Sequence, residues 1–186
     1  MNYSKKGLGL ALGARRIDNM GFRSERNAIL QSRNINFLTP FTKQQAYSLA
    51  TMYPYSSQPS GEMGGQFDLY YKVPKKSKLG GKYGIDISLN ISSMYDIDKS
   101  AVENSESLNE SGTLGYKSDF FILGKDKFFQ ELNLEISKRI NKRVKLIATY
   151  TNVENHDQLL QTQWKELIKA NIFILESIIK LPNKNS

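Results

Sequence analysis

The sequence predicts an all-β fold, an antiparallel up-and-down sheet of about six to eight strands. Apolar and polar side chains alternate along several runs, as they do in strands with one wet face and one apolar face. The best runs approach about ten residues, the length of a tilted strand that crosses a bilayer. No run reaches the ~18 apolar residues of a membrane-spanning helix. We therefore expect residues 1–186 to form a single segment of a transmembrane β-barrel.

The N-terminal run GLGLALGA predicts a strand with leucines on one face and small residues on the other. A signal peptide is the alternative interpretation. It fits less well, because the apolar run is short and glycine-rich, and Arg15 and Arg16 follow it at once.

Two pairs of runs predict the clearest hairpins. GQFDLYYKV and KYGIDISLNISSMY flank the polar turn PKKSKLGG, and QELNLEISKR and VKLIATYTN flank a turn at residues 141–143. The side chains that we expect to face lipid are Leu8, Leu10, Leu12, Phe67, Leu69, Tyr71, Ile85, Ile87, Leu89, Leu132, Leu134 and Ile136. Those that we expect to face the lumen are Asp68, Asp86, Asn90, Glu131 and Glu135.

The remaining stretches predict less regular structure. Residues 34–38 and 116–124 resemble short strands, 39–63 a long structured loop, and 96–116 an exposed acidic loop. The spacing of Leu160, Trp164, Leu167 and Ile168 fits a helix over 158–169. The following run is apolar on both faces and predicts a final strand that ends at Pro182.

The composition argues against an enzyme and against a metal or cofactor site. There is no cysteine, and His156 is the one histidine, which excludes disulfides and multi-histidine metal sites. Near matches to known motifs fail in detail. The third glycine of the N-terminal run stands one position too late for a dinucleotide loop, and the DIDKSAVENSES stretch has Ala101 where a calcium loop needs glycine.

The net charge of +8 allows an anionic membrane surface, an anionic solute or nucleic acid as partner. No sequence motif of a nucleic-acid-binding module accompanies it, so we do not expect nucleic acid. The most suggestive basic group is Arg15, Arg16, Arg23 and Arg26, a candidate binding cluster at the lumen or mouth of a barrel. The alternative is a solvated strand end and loop.

Two soluble alternatives stay open. One is a secreted β-domain that binds glycans through exposed aromatic residues, with Tyr53, Tyr55 and Tyr95 as candidates. The other is a basic nucleic-acid-binding β-domain. Strands of soluble sandwiches usually have about five or six residues, so the strand length favours the barrel.

Several stretches resemble an uncharacterised outer-membrane β-barrel family of Bacteroidota-type Gram-negative bacteria. They are GLGLALGARRIDNMGFRSER, residues 38–92 and FFQELNLEISKRINKR, and the most specific parts are residues 53–55, 61–65 and 80–84. The resemblance implies a cell outer-membrane location, a porin-like channel, transporter or assembly scaffold, and no catalytic residues. Its members are longer and carry a signal peptide, which implies that this chain is an interior fragment with two open sheet edges. The implied partners are the outer-membrane bilayer and the rest of the barrel or partner barrel proteins.

Overall fold

The computed structural model describes residues 1–25, 33, 35, 38–102, 116–158 and 165–181. Within these residues the regular structure consists of strands and one short 3-10 helix, Ser48–Thr51. The strands are β1 (Asn2–Lys5), β2 (Leu8–Asp18), β3 (Gly61–Val73), β4 (Ile85–Ile97), β5 (Ser100–Ala101), β6 (Tyr116–Lys117), β7 (Leu123–Arg139), β8 (Val144–Gln158) and β9 (Lys165–Ile179).

Seven of these strands form one antiparallel sheet in the order β1-β2-β3-β4-β7-β8-β9. Each strand lies beside the one before it, except that the small β5–β6 sheet is inserted between β4 and β7. The prediction of an all-β, antiparallel up-and-down sheet is therefore confirmed. The turn predicted at residues 141–143 is also present, because β7 ends at Arg139 and β8 begins at Val144.

The outermost strands of the sheet are β1 and β9. Among the described residues β1 pairs with β2 alone and β9 with β8 alone, so no ladder closes the sheet into a barrel. Among the described residues the sheet thus has two open edges, as the family resemblance implies for this chain.

The registers separate the side chains into two faces that run unbroken from β2 to β9. Leu10, Leu69, Leu89, Leu134 and Tyr150 pair in succession and share one side, which we call the apolar face. The other side, which we call the polar face, carries Asp68, Asn90, Asn133 and Thr151 in one such succession. The predicted division of the strands into these two sets is the one that the registers produce.

Residues 38–60, which we call the cover segment, lie against the polar face. Tyr55 packs in a buried cluster with Met94, Phe129 and Val153 of the sheet, and Phe41 contacts this cluster from the cover segment. A buried hydrophobic cluster therefore lies between the cover segment and the sheet, on the face that carries the polar rows.

Some predictions need correction or lie outside the described residues. The helix over 158–169 is wrong, since Gln158 ends β8 and β9 begins at Lys165, while 159–164 lie outside the described residues. Residues 61–63 belong to β3 and not to the preceding loop. The short strand at 34–38 and most of the acidic loop at 96–116 also fall outside, at 34, 36, 37 and 103–115.

Gly64 provides a test of how closely β3 and β4 pack. A Cβ atom at this position would lie 2.1 Å from the backbone oxygen of Ser93 and 2.9 Å from the Cα of Met94. We expect Gly64→Ala to lower the free energy of unfolding by about 1–3 kcal/mol, because backbone atoms must move. Gly9→Ala is the control, since its nearest contact would be an ordinary 3.7 Å to Tyr70. Chemical denaturation measures the free energy of unfolding of both variants. Equal stability of the two variants would contradict the close packing of β3 and β4 at Gly64.

Candidate functional site

The polar face carries hydrogen-bonding side chains in rows across the middle strands. One row is Asp68, Asn90, Asn133 and Thr151. The next row contains Gln66, Ser92 and Glu131, one pleat further along. The rows arise because four strands of period-two sequence pair in matching register, so polar residues that are distant in sequence become neighbours.

Asn133 is the centre of a hydrogen-bond network that joins the sheet to the cover segment. Its Nδ2 donates to Thr151 Oγ1 at 2.6 Å, and both side chains are fully buried. Lys43 of the cover segment donates to Asn133 Oδ1, and Gln45 donates to the carboxylate of Glu131. Burying an amide or a carboxylate without a hydrogen-bond partner costs free energy. The donors from the cover segment offset this cost for Asn133 and Glu131.

Glu62 at the start of β3 is a buried carboxylate with several donors. Arg15 Nη2 lies 2.5 Å from its Oε1, and the Tyr55 hydroxyl and the Gln58 backbone N–H each donate to its Oε2 at 2.7 Å. Arg15 also donates to the Thr39 carbonyl and to Ser57 Oγ, so it binds the sheet and both ends of the cover segment. The charge of Glu62 is thus balanced and its oxygens are satisfied.

Further contacts attach the cover segment along its length. The Tyr47 hydroxyl donates to the carboxylate of Glu176 in β9, and this bond raises the pKa of Tyr47 to about 12. The Tyr55 ring stacks on Phe129 at a centroid distance of 4.9 Å, and burial raises the pKa of its hydroxyl. Both hydroxyls therefore remain protonated donors at neutral pH.

The structure separates the predicted arginine cluster. Arg15 and Arg16 are adjacent in β2 and point to opposite faces: Arg15 to the cover segment, Arg16 to Asp18, Ser118 and the Asp119 and Phe120 carbonyls. Arg23 is described but lies beyond β2, and Arg26 lies outside the described residues. Both β2 guanidinium groups therefore already bind groups of the protein, and a ligand role for the four arginines stays a prediction.

The predicted aromatic and acidic candidates have definite places. Tyr55 is buried, which removes it from an exposed glycan-binding surface, while Tyr53 and Tyr95 are half-buried. Of the predicted lumen residues, Asp86 accepts from Tyr70 and lies 3.3 Å from Lys72, and Asp68 accepts from Asn90. These acids lie on the polar face, as the alternation predicts.

The polar face offers hydrogen-bonding groups that can bind water or a polar solute. Ser92, Ser137 and Thr149 have buried hydroxyl oxygens that lack a hydrogen-bond partner among the described residues. No group of three or more acidic or histidine side chains among those residues could hold a metal ion. In the described part of the chain, no helix is long and apolar enough to span a membrane.

Sequence reasoning missed the residues that attach the cover segment. Lys43, Gln45 and Tyr47 lie in a stretch without period-two alternation, so nothing local indicates which strand each one contacts. Glu62 has a signal, because extending the alternation back from Gln66 and Asp68 places it on the polar face.

Tyr55→Phe tests whether the Glu62 network holds the cover segment in place. We expect a loss of about 1–2 kcal/mol in the free energy of unfolding, because Glu62 loses one donor in a buried site. We also expect faster tryptic cleavage after Lys43, which binds Asn133 in the attached segment. Tyr70→Phe is the matched control, since that hydroxyl donates to Asp86 at an exposed position. Cleavage at the native rate in Tyr55→Phe would show that the network does not control attachment.

Comparison with known proteins gives a family match. No curated protein and no solved structure matches the chain. A model of a family of unknown function, DUF6029, matches residues 1–186. The chain therefore belongs to the family DUF6029.

Proposed function

We propose that this chain forms part of the wall of an outer-membrane β-barrel. In this proposal lipid surrounds the apolar face, and the polar face lines a hydrated interior that the cover segment narrows. Such a wall serves a porin-like channel or a transporter for hydrophilic solutes. The arrangement of the two faces carries the proposal, and the strand dimensions and the connections support it.

The burial of the two faces is the reverse of that in a water-soluble sheet. Asn133 and Thr151 on the polar face are 0 % exposed, whereas Phe173 and Leu175 on the apolar face are 75 % and 77 % exposed. Leu12, Ile91 and Ile136 on the same apolar face are exposed as well. Soluble proteins rarely expose a continuous apolar surface that crosses this many strands, but a barrel in hydrocarbon requires one.

The dimensions of the strands suit a bilayer. The two shortest strands among β3, β4, β7, β8 and β9 have 13 residues, and the longest, β7, has 17. A tilted membrane-spanning strand needs about 9–11. Ile85, Ile87, Leu89 and Ile91 of β4 cover about 20 Å along the strand. This is close to the apolar band of about 25 Å on outer-membrane barrels.

The connections differ between the two ends of the sheet. At one end, which we call the turn end, the strands are joined through residues 6–7, 74–84 and 140–143. At the other end, which we call the loop end, two of the three joining stretches, 19–60 and 98–122, are longer, and the third is 159–164. Outer-membrane barrels have short turns on the periplasmic side and longer loops outside, so the turn end would be periplasmic.

The open edges at β1 and β9 identify the partner that the proposal needs. Unpaired backbone groups cannot face hydrocarbon, because each one costs several kcal/mol there. Further strands of the same barrel, or of a partner barrel protein, would pair with both edges and close the wall.

Leu134→Arg and Glu135→Arg form a matched pair that tests the lipid-facing assignment. The two residues are adjacent in β7, both are half-buried, and they point to opposite faces. We expect Leu134→Arg to prevent folding into vesicles, since an arginine facing lipid costs about 2–4 kcal/mol at mid-bilayer. We expect Glu135→Arg to fold. Asn133 is a poorer control because its buried amide binds Thr151 and the cover segment.

The measurement is the fraction of folded chain in vesicles, read from protease protection of the strands. Equal tolerance of the two arginines would contradict the assignment of the faces. A native chain that is a monodisperse soluble monomer without detergent, with all strands open to protease in vesicles, would contradict the barrel itself.

A further inference from the structure

The turn end of the sheet holds the net positive charge of the chain. Every charged residue in the ranges 5–6, 74–83 and 138–145 and at 180 is Lys or Arg. The rest of the chain has more acidic than basic residues. We call this group the basic rim; its members are Lys5, Lys6, Lys75, Lys76, Lys78, Lys82, Lys138, Arg139, Lys142, Arg143, Lys145 and Lys180.

The charges of the basic rim are available to a partner. All of these residues are exposed except Lys145, which is half-buried, and none forms an ion pair with a carboxylate of the described residues. Two acids near this end of the sheet already have partners, because Asp86 pairs with Lys72 and Glu176 accepts from Tyr47. The rim therefore presents uncompensated positive charge over adjacent turns.

Hydrogen bonds hold the turns that present these charges. In the β3–β4 turn, Lys76 N–H donates to the Gly81 carbonyl at 2.6 Å and the Ser77 hydroxyl to the Pro74 carbonyl at 2.7 Å. In the β7–β8 turn, Asn141 Oδ1 accepts two backbone N–H groups. Lys180 N–H donates to the Arg143 carbonyl at 2.8 Å and joins the end of β9 to that turn. The basic groups thus start from ordered backbones, which lowers the entropic cost of binding.

Exposed apolar side chains stand among the basic residues. Leu79 is 75 % exposed in the β3–β4 turn, Ile140 is 50 % exposed in the β7–β8 turn, and Leu181 is 83 % exposed after β9. An apolar tip beside lysines is the composition that binds at the boundary of lipid headgroups and acyl chains. A nucleic acid would attract the lysines, but its phosphate backbone would offer no apolar contact to the three exposed side chains.

We propose that the basic rim binds the headgroups of anionic phospholipids, with Leu79, Ile140 and Leu181 entering the headgroup region. The proposal rests on the proposed membrane function, because the rim borders the end of the apolar face that would contact the acyl chains. Its consequence is a fixed orientation, in which the turn end lies at an anionic leaflet and the loop end at the opposite surface.

The test compares vesicles of phosphatidylcholine alone with vesicles that also contain phosphatidylglycerol. Partitioning of the full chain is measured by flotation at low and high salt. We expect tighter binding to the anionic vesicles by about tenfold or more, reduced at high salt because the Debye length falls to about 3 Å at 1 M. Each lysine near an anionic surface contributes about 1 kcal/mol to binding, which is about fivefold in affinity. The double variant Lys75→Gln/Lys78→Gln should therefore lose about tenfold or more of the preference for anionic vesicles.

Lys117→Gln/Lys125→Gln removes the same charge from exposed positions at the loop end and is the matched control. The preference for anionic vesicles should survive in this variant. An equal loss in both variants, or equal partitioning of the native chain into both vesicle types, would overturn the proposal. A third result would also overturn it: RNA displaces the chain completely from anionic vesicles, and Leu79→Ser does not change the partitioning. That result would indicate a surface that binds nucleic acid.

Protease protection of the strands in the same samples separates this proposal from the barrel proposal. Strands protected equally in both vesicle types, with no preference between the lipids, would overturn the basic rim and leave the barrel standing. A rim-dependent preference for anionic vesicles with all strands cleaved would support the rim as a lipid-binding surface and overturn the barrel.

Discussion

The burial of a polar sheet face is the constraint on which the rest of this structure depends. Amides, hydroxyls and carboxylates can leave water only when other groups of the protein take over their hydrogen bonds. The cover segment supplies these groups at Lys43, Gln45 and Tyr47, and the Arg15–Glu62 pair fixes its ends. A break in this network would leave charged and polar groups buried without partners, so the cover segment and the sheet depend on each other.

The same constraint determines which side of the sheet remains exposed. With part of the polar face occupied by the cover segment, the side chains left exposed along the middle of the opposite face are mainly leucine, isoleucine, phenylalanine and tyrosine. Water is a poor solvent for such a surface, and hydrocarbon is a good one. In the proposed barrel the backbone of every inner strand is already paired within the sheet, so the strands at the two edges are the ones that still need a partner.

The distribution of charge adds a direction along the strands. The overall charge of +8 is not spread evenly over the molecule, because the excess of positive over negative charge lies at the turn end. Side chains near the loop end are paired more often, as in Arg16 with Asp18 and Lys127 with Glu154. In the proposed barrel, this polarity offers a physical basis for orientation in a membrane, which the basic rim proposal makes specific.

The sequence by itself determined the class of the sheet and the direction of the strand side chains. Alternation with period two is a local property, so Leu134 and Glu135 can be assigned to opposite faces without knowledge of any partner. It fails where both faces are alike: β9 is apolar on both sides, and its first residues also fit a helical spacing, which produced the wrong helix. Only the tertiary structure decided that Arg15 and Arg16 bind different parts of the protein, that Tyr55 is buried, and that residues 38–60 cover the polar rows. These contacts join groups far apart in sequence through side chains of an irregular segment, and no local pattern encodes which partner such a segment meets.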